Sequence, residues 1–187
     1  MFVLDTRSER IAAIALAVLM AATRIHHFGV GAIAPDASTA VFLLAGLTLA
    51  NPWWLAAFLV EAVALDAAAV GIMGVADACV TSGYALIAPA YAALWLAGRA
   101  MRPAEQLDLF TAGKFVCLAC GGVAAFFLIA NAGYFLGSEY AALGVPEYVA
   151  RVSRYFPFHL TVTLGYTAAG IAVLALATRG RAAPALR

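Results

Sequence analysis

Long apolar stretches alternate with short polar breaks along nearly the whole chain, and no stretch has the two-residue alternation of a β-strand. A helix needs about 20 residues to cross a hydrocarbon layer of about 30 Å, and lipid offers open backbone groups no partner. We therefore predict an all-α membrane protein, with one six-helix transmembrane domain over residues 1–187. The second and fourth segments are short, which indicates helices packed inside the bundle. The predicted spans are Ser8–Ile25, Ala37–Ala50, Trp53–Val70, Tyr84–Leu96, Phe115–Phe135 and Phe158–Thr178.

The composition supports a bilayer as the chain's surroundings. Of the 187 residues, 65% are hydrophobic and 11% are charged, whereas a soluble domain carries about 25% charged residues. The polar surface is therefore too small to cover the chain in water, and no attached soluble domain is expected. The net charge is +1 without any basic tract, so we expect no nucleic-acid partner. Three cysteines make no even disulfide framework.

Basic residues predict the orientation of the bundle. With six spans and the N-terminus inside, eight of the eleven Lys and Arg residues are cytoplasmic, and only Arg24, Arg151 and Arg154 lie outside. The positive-inside rule then places both termini in the cytoplasm. The first run, preceded by Arg7 and Arg10, could instead be a signal peptide. Its removal would leave an odd number of spans and put the basic C-terminus on the wrong side.

The outer face collects most of the residues that could carry chemistry. Cys79 lies in a polar break between two apolar segments, where its thiolate would be a soft ligand for a late or soft metal centre. The simpler interpretation is a small buried apolar residue, which free cysteines usually are. Asp77 nearby disfavours a thiolate, so a metal would have to help remove the proton.

Two acids in the third span suggest a cavity. Asp66 lies about 20 Å along the helix from Trp53, close to the outer mouth, and Glu61 is nearer the middle. Ionisable groups inside a membrane are costly and normally face the protein interior or a water-filled cavity. We expect Asp66 to contact a ligand, while a helix–helix hydrogen bond explains Glu61 equally well.

Other polar residues admit two interpretations each. His26 and His27 are either interfacial side chains without a task or, for His27, a hydrogen-bond donor or metal ligand. Arg151 and Arg154 would share a helix face and suit amide or phosphate oxygens, although a solvated loop explains either one alone.

Two alternative functions are compatible with other residues of the sequence. Cys117 and Cys120 form a CxxC motif, which could serve a membrane thiol–disulfide oxidoreductase, although core packing is the expectation for an apolar span. His27 and His159 could ligate a haem from two sides.

The order of the motifs resembles a known family. The chain reads RIHHFG, PDASTAVFLLAG, EAVALD, ACVTSGYALIAPAYAALWLAGR and RVSRYFP, from about Arg24 to Pro157. This order is similar to that of BtuM, a family of solitary cobalamin transporters that resemble the S components of energy-coupling-factor transporters. The cysteine followed five residues later by a tyrosine, and then by A-P-A-Y, is the most specific part.

The resemblance implies vitamin B12 uptake across the bacterial cytoplasmic (inner) membrane. It implies that Cys79 is the lower axial ligand of the cobalt in cobalamin, displaces the nucleotide base, and promotes reductive decyanation of cyanocobalamin, with a thiol reductant as a further partner. His27, Asp66 and Tyr84 match substrate-binding positions, and either Arg151 or Arg154 matches the family's arginine. No obligate ATPase module is implied. Cobalamin is the substrate, and no other cofactor is implied.

Overall fold

The computed structural model describes residues 6–24, 34–74, 80–102 and 108–182, with side chains described as far as residue 177. Within these ranges all regular secondary structure is helical. Two 3₁₀ turns, Ser82–Leu86 and Glu139–Leu143, precede the fourth and sixth α-helices. The α-helices are α1 (Thr6–Arg24), α2 (Ser38–Thr48), α3 (Trp53–Gly71), α4 (Ile87–Ala100), α5 (Leu109–Gly137), α6 (Val145–Ser153) and α7 (Phe156–Ala182).

The all-α fold class is confirmed for these residues. The six predicted segments correspond to α1 to α5 and α7, whereas the short helix α6 was not predicted. Three helices are long and apolar enough to cross a membrane: α3, α5 and the Phe156–Ala177 part of α7. This fits an all-α membrane protein.

Helix α2 lies at the centre of the bundle. All eleven of its residues are buried, and at about 1.5 Å per residue it covers only about half of a hydrocarbon layer. The Phe42 ring stacks on Tyr91 of α4 at 4.0 Å between centroids and meets the edge of Phe58 of α3 at 6.1 Å. The prediction that this short helix packs inside the bundle is confirmed.

Glycine allows α2 and α4 to approach closely. A methyl group on Gly46 would overlap the carbonyl of Trp95, and one on Gly98 would overlap the carbonyl of Leu43. Each glycine therefore faces the backbone of the other helix, so neither position accepts a larger side chain without separating the pair.

Two arginines at the C-terminal end of α4, Arg99 in its last turn and Arg102 just after it, bind one end of α2. Arg102 Nε donates to the Gly46 carbonyl at 2.8 Å, and its Nη2 donates to that of Leu49. Arg99 donates to the Ala50 carbonyl through both Nη atoms, at 3.2 and 3.3 Å. These cations satisfy carbonyls that a helix C-terminus leaves without intrahelical partners.

Candidate functional site

A cavity of about 320 Å³ opens at the other end of the bundle. It lies where α1, α3 and α5 end and where α2, α4 and α7 begin, so residues far apart in sequence meet there. Its lining is formed by Arg24, Asp36, Thr39, Asp66, Val80, Thr81, Gly83, Tyr84, Ile87, Tyr91, Phe126, Phe127, Ala130, Asn131, Tyr134 and His159.

A buried ion pair forms the polar side of this cavity. The guanidinium of Arg24 donates from Nε to Asp66 Oδ1 and from Nη2 to Oδ2, both at 2.7 Å. The two side chains are only 3% and 5% exposed. Such two-point pairing is the geometry in which buried charges of opposite sign best compensate each other's desolvation.

Further hydrogen bonds from Arg24 join two more helices, α2 and α4, and add a second contact to α3. Its Nη1 donates to Ser38 Oγ at 3.0 Å and to the Tyr91 hydroxyl oxygen at 2.7 Å. Its Nε also donates to the Ala62 carbonyl at 3.2 Å. One side chain at the end of α1 therefore connects the start of α2, the body of α3 and the start of α4.

Two further hydrogen bonds extend the network along the cavity wall. The Tyr84 hydroxyl donates to Asp66 Oδ2 at 2.5 Å. Ser38, which accepts from Arg24, donates its own hydroxyl to Asp36 Oδ1 at 2.6 Å. One cation therefore lies between two carboxylates, and the polar wall carries a formal charge of −1.

Aromatic rings form another side of the cavity. Phe126 and His159 stack with centroids 5.4 Å apart and planes inclined by 5°. Phe127 lies 6.0 Å from His159, and Tyr91 lies 4.9 Å from Phe126. The wall therefore presents ring faces and edges, which suit a flat unsaturated ligand.

The structure brings together two of the predicted substrate-binding residues, Asp66 and Tyr84, in one hydrogen bond. Their role in binding stays a prediction. Cys79 and His27 lie outside the described residues. Val80, which directly follows Cys79 in the chain, lines the cavity.

Arg151 and Arg154 lie away from the cavity lining. Arg151, on α6, forms an ion pair with Glu147 at 2.8 Å, and both side chains are about half exposed. The guanidinium of Arg154 lies over the Tyr155 ring, 5.0 Å from its centroid. Neither arginine therefore lines the cavity, and a ligand contact of either one stays a prediction.

Helix α6 is nevertheless connected to the site. The Tyr148 hydroxyl lies 3.1 Å from the carbonyl of Asn131, a cavity residue, and donates to it. Burial raises the pKa of Tyr148, and the neighbouring Tyr134 and Tyr140 add to this effect. The hydroxyl therefore stays protonated as a donor around neutral pH.

The CxxC residues lie on α5, outside the cavity lining. Cys117 and Cys120 are free, and Cys117 is exposed. The expectation that both pack in the core is wrong for Cys117, because it lies on the outer surface of α5. Glu61 is half-buried and also lies outside the cavity lining.

The sequence pattern does not single out Arg24 or the aromatic rings as site residues. The sequence places Arg24 at the outer side of the bundle without a partner, although the rule that a membrane-embedded acid needs a partner links it to Asp66. Phe126 and Phe127 were not singled out, because α5 is apolar around its whole circumference. Among the described residues, no group of three or more His, Cys, Asp or Glu side chains could hold a metal ion.

Comparison of the chain with models of protein families gives no match, and comparison with curated proteins gives none either.

Proposed function

We propose that this chain is a cobalamin transporter of the bacterial cytoplasmic (inner) membrane. It binds the corrinoid at the outer mouth of a six-helix bundle, with Cys79 as the lower axial ligand of the cobalt. The observation that carries the proposal is the cavity itself. Its wall contains Asp66 and Tyr84, two of the residues matched by resemblance, which form a hydrogen bond with each other. The wall also contains Val80, the residue that follows Cys79 in sequence.

The arrangement of helix ends supports six crossings. Residues that line the cavity come from the ends of α1, α3 and α5 and from the starts of α2, α4 and α7. Successive helices other than α6 therefore run in opposite directions. Arg99 and Arg102 lie at the opposite end from the cavity, which agrees with a cytoplasmic inner end and an outward-facing cavity.

The size of the cavity indicates how such a substrate would bind. Cavities for drug-sized ligands measure about 300–1,000 Å³, and this one, at about 320 Å³, lies at the lower limit. A corrinoid is several times larger than a drug. The ring therefore seats across the mouth, and only the groups on its protein-facing side enter the cavity.

The chemistry of the substrate agrees with these surroundings. A thiolate donates electron density to Co(III) and weakens the bond to cyanide on the opposite side of the ring. Transfer of one electron gives Co(II), and the cobalt–carbon bond breaks as cyanide leaves with its electron pair. A thiol reductant supplies the electrons, and two thiols become one disulfide for every two cobalt centres reduced.

Titration of the purified protein with cyanocobalamin tests this function. We expect saturable binding, an altered corrin absorption spectrum, and release of cyanide when a thiol reductant is added. A spectrum identical to that of free cyanocobalamin, together with no retained corrinoid after gel filtration, would contradict the proposal.

A further inference from the structure

The cavity is too small to hold a whole corrinoid, and one of its walls is formed by aromatic rings. Only a part of the substrate can therefore enter it. Cobalamin carries a flat bicyclic base, dimethylbenzimidazole, on a nucleotide tail. In the free molecule this base is the lower axial ligand of the cobalt. A protein thiolate that takes its place must displace the base from the metal.

The displaced base stays on the protein-facing side of the ring. Its tail is attached to the face that the lower ligand approaches, so the thiol and the base come from the same side. Val80 directly follows the proposed thiol ligand in sequence and lines the cavity. The cavity therefore begins one residue after the proposed ligand in the chain, which makes it the candidate space for the displaced base.

The cavity wall has the chemistry that a flat base requires. Phe127 is half-buried and lies beside His159, which is stacked on Phe126. Tyr134 lies on the same helix as Phe127, two turns further on, and also lines the cavity. Ring faces of this kind bind unsaturated bases by stacking, without demanding a particular hydrogen-bond pattern.

We infer that the aromatic wall of the cavity, in which the buried Phe126 backs His159 and the half-buried Phe127 and Tyr134 are more accessible, is a slot for the displaced dimethylbenzimidazole base. This inference rests on the proposed cobalamin binding. It assigns to the aromatic residues a preference for corrinoids that carry a complete nucleotide tail over those that lack the base.

The test compares cobalamin with cobinamide, which has the same corrin ring and cobalt but no base. The preference is measured as the ratio of the cobalamin affinity to the cobinamide affinity, since displacing the base from the cobalt weakens the net affinity for cobalamin alone. Phe127→Leu keeps an apolar side chain but removes the ring, so it should reduce this preference roughly tenfold. Phe110→Leu is the matched control, because Phe110 lies at the far end of the same helix and is 82% exposed.

Three outcomes separate the inference from the function on which it rests. Loss of the preference in Phe127→Leu but not in Phe110→Leu supports the slot. An unchanged ratio of the two affinities in Phe127→Leu overturns the slot while corrinoid binding stands. Absence of binding for both corrinoids in the wild type overturns the proposed function as well. If Phe127→Leu fails to fold, Tyr134→Leu gives the same comparison.

Discussion

Arg24 and Asp66 form a two-point ion pair between α1 and α3, with both nitrogen–oxygen distances at 2.7 Å. The pair lies 42 positions apart in sequence and is almost completely shielded from the surroundings. It joins α1 to the polar wall of the cavity, and the Tyr84 hydroxyl donates to the same carboxylate.

Removing the charge of Asp66 should destabilise the fold severely. Asp66→Asn leaves the Arg24 cation buried without a counter-charge, which costs about 3–5 kcal/mol in comparable buried pairs. Thermal unfolding in detergent measures the effect. Glu147→Gln breaks the half-exposed pair with Arg151 and is the matched control, with an expected loss below about 1 kcal/mol. Equal losses of stability for the two variants would show that the buried ion pair contributes no more to the fold than the half-exposed one.

The Tyr84 hydroxyl should contribute to the stability of the cavity wall. Tyr84→Phe removes the donor to Asp66 but keeps the ring, so we expect a loss of about 1.5–3 kcal/mol for a hydrogen bond to a charged group. Tyr155→Phe, at a side chain that is 56% exposed, is the control and should change stability little. An unchanged unfolding midpoint for Tyr84→Phe would contradict this assignment.

A single methyl group added between α2 and α4 should destabilise the protein. Gly46→Ala places that group against the Trp95 backbone and should cost about 1–3 kcal/mol through overpacking. Gly121→Ala, at a helical position with nothing within 4 Å, should instead stabilise α5 by about 0.5–1 kcal/mol. Unfolding of both variants under the same conditions checks the opposite signs. A stable Gly46→Ala protein would mean that the helices are further apart.

The start of α5 should respond to acid through Asp108. Its carboxylate accepts from the Thr111 backbone N–H at 2.7 Å, and this bond lowers the pKa of Asp108 below the ordinary 3.8. Because the folded pKa is lowered, the stabilisation is fully present above pH 3.8 and is lost as the pH falls through the folded value.

Asp108→Asn separates this effect from general acid unfolding. Asparagine also caps a helix but carries no charge, so its contribution does not depend on pH in this range. The difference in unfolding midpoint between wild type and variant should stay constant above pH 3.8 and shift against the wild type below it. A constant difference through the acid range would exclude the lowered pKa.

Much of the bundle could be predicted from hydrophobic runs and helix geometry. The burial of α2 could be predicted from its length, because an 11-residue apolar helix is too short to cross the hydrocarbon layer in contact with lipid. The place of Asp66 near a cavity followed from its distance from Trp53 and from the cost of an acid in lipid. The three long helices fit the predicted membrane protein, whereas six crossings and their orientation are proposals.

The partners within the site could not be predicted in the same way. Arg24 pairs with Asp66 only because α1 and α3 lie side by side, and the apolar runs do not specify which helices are neighbours. Likewise, Phe126 and Phe127 lie on a helix without a polar face, so the sequence pattern does not indicate which ring points inward. The role of Cys79 as a ligand of cobalt is implied by the resemblance alone, and Cys79 lies outside the described residues.

The absorption spectrum of the Cys79→Ser protein with cyanocobalamin tests the central claim most directly. Cys117→Ser, at an exposed cysteine outside the cavity lining, is the matched control. Our account predicts that Cys79→Ser loses both the altered corrin spectrum and cyanide release, while Cys117→Ser keeps both. A Cys79→Ser protein that retained the wild-type spectrum and released cyanide at the wild-type rate would contradict it.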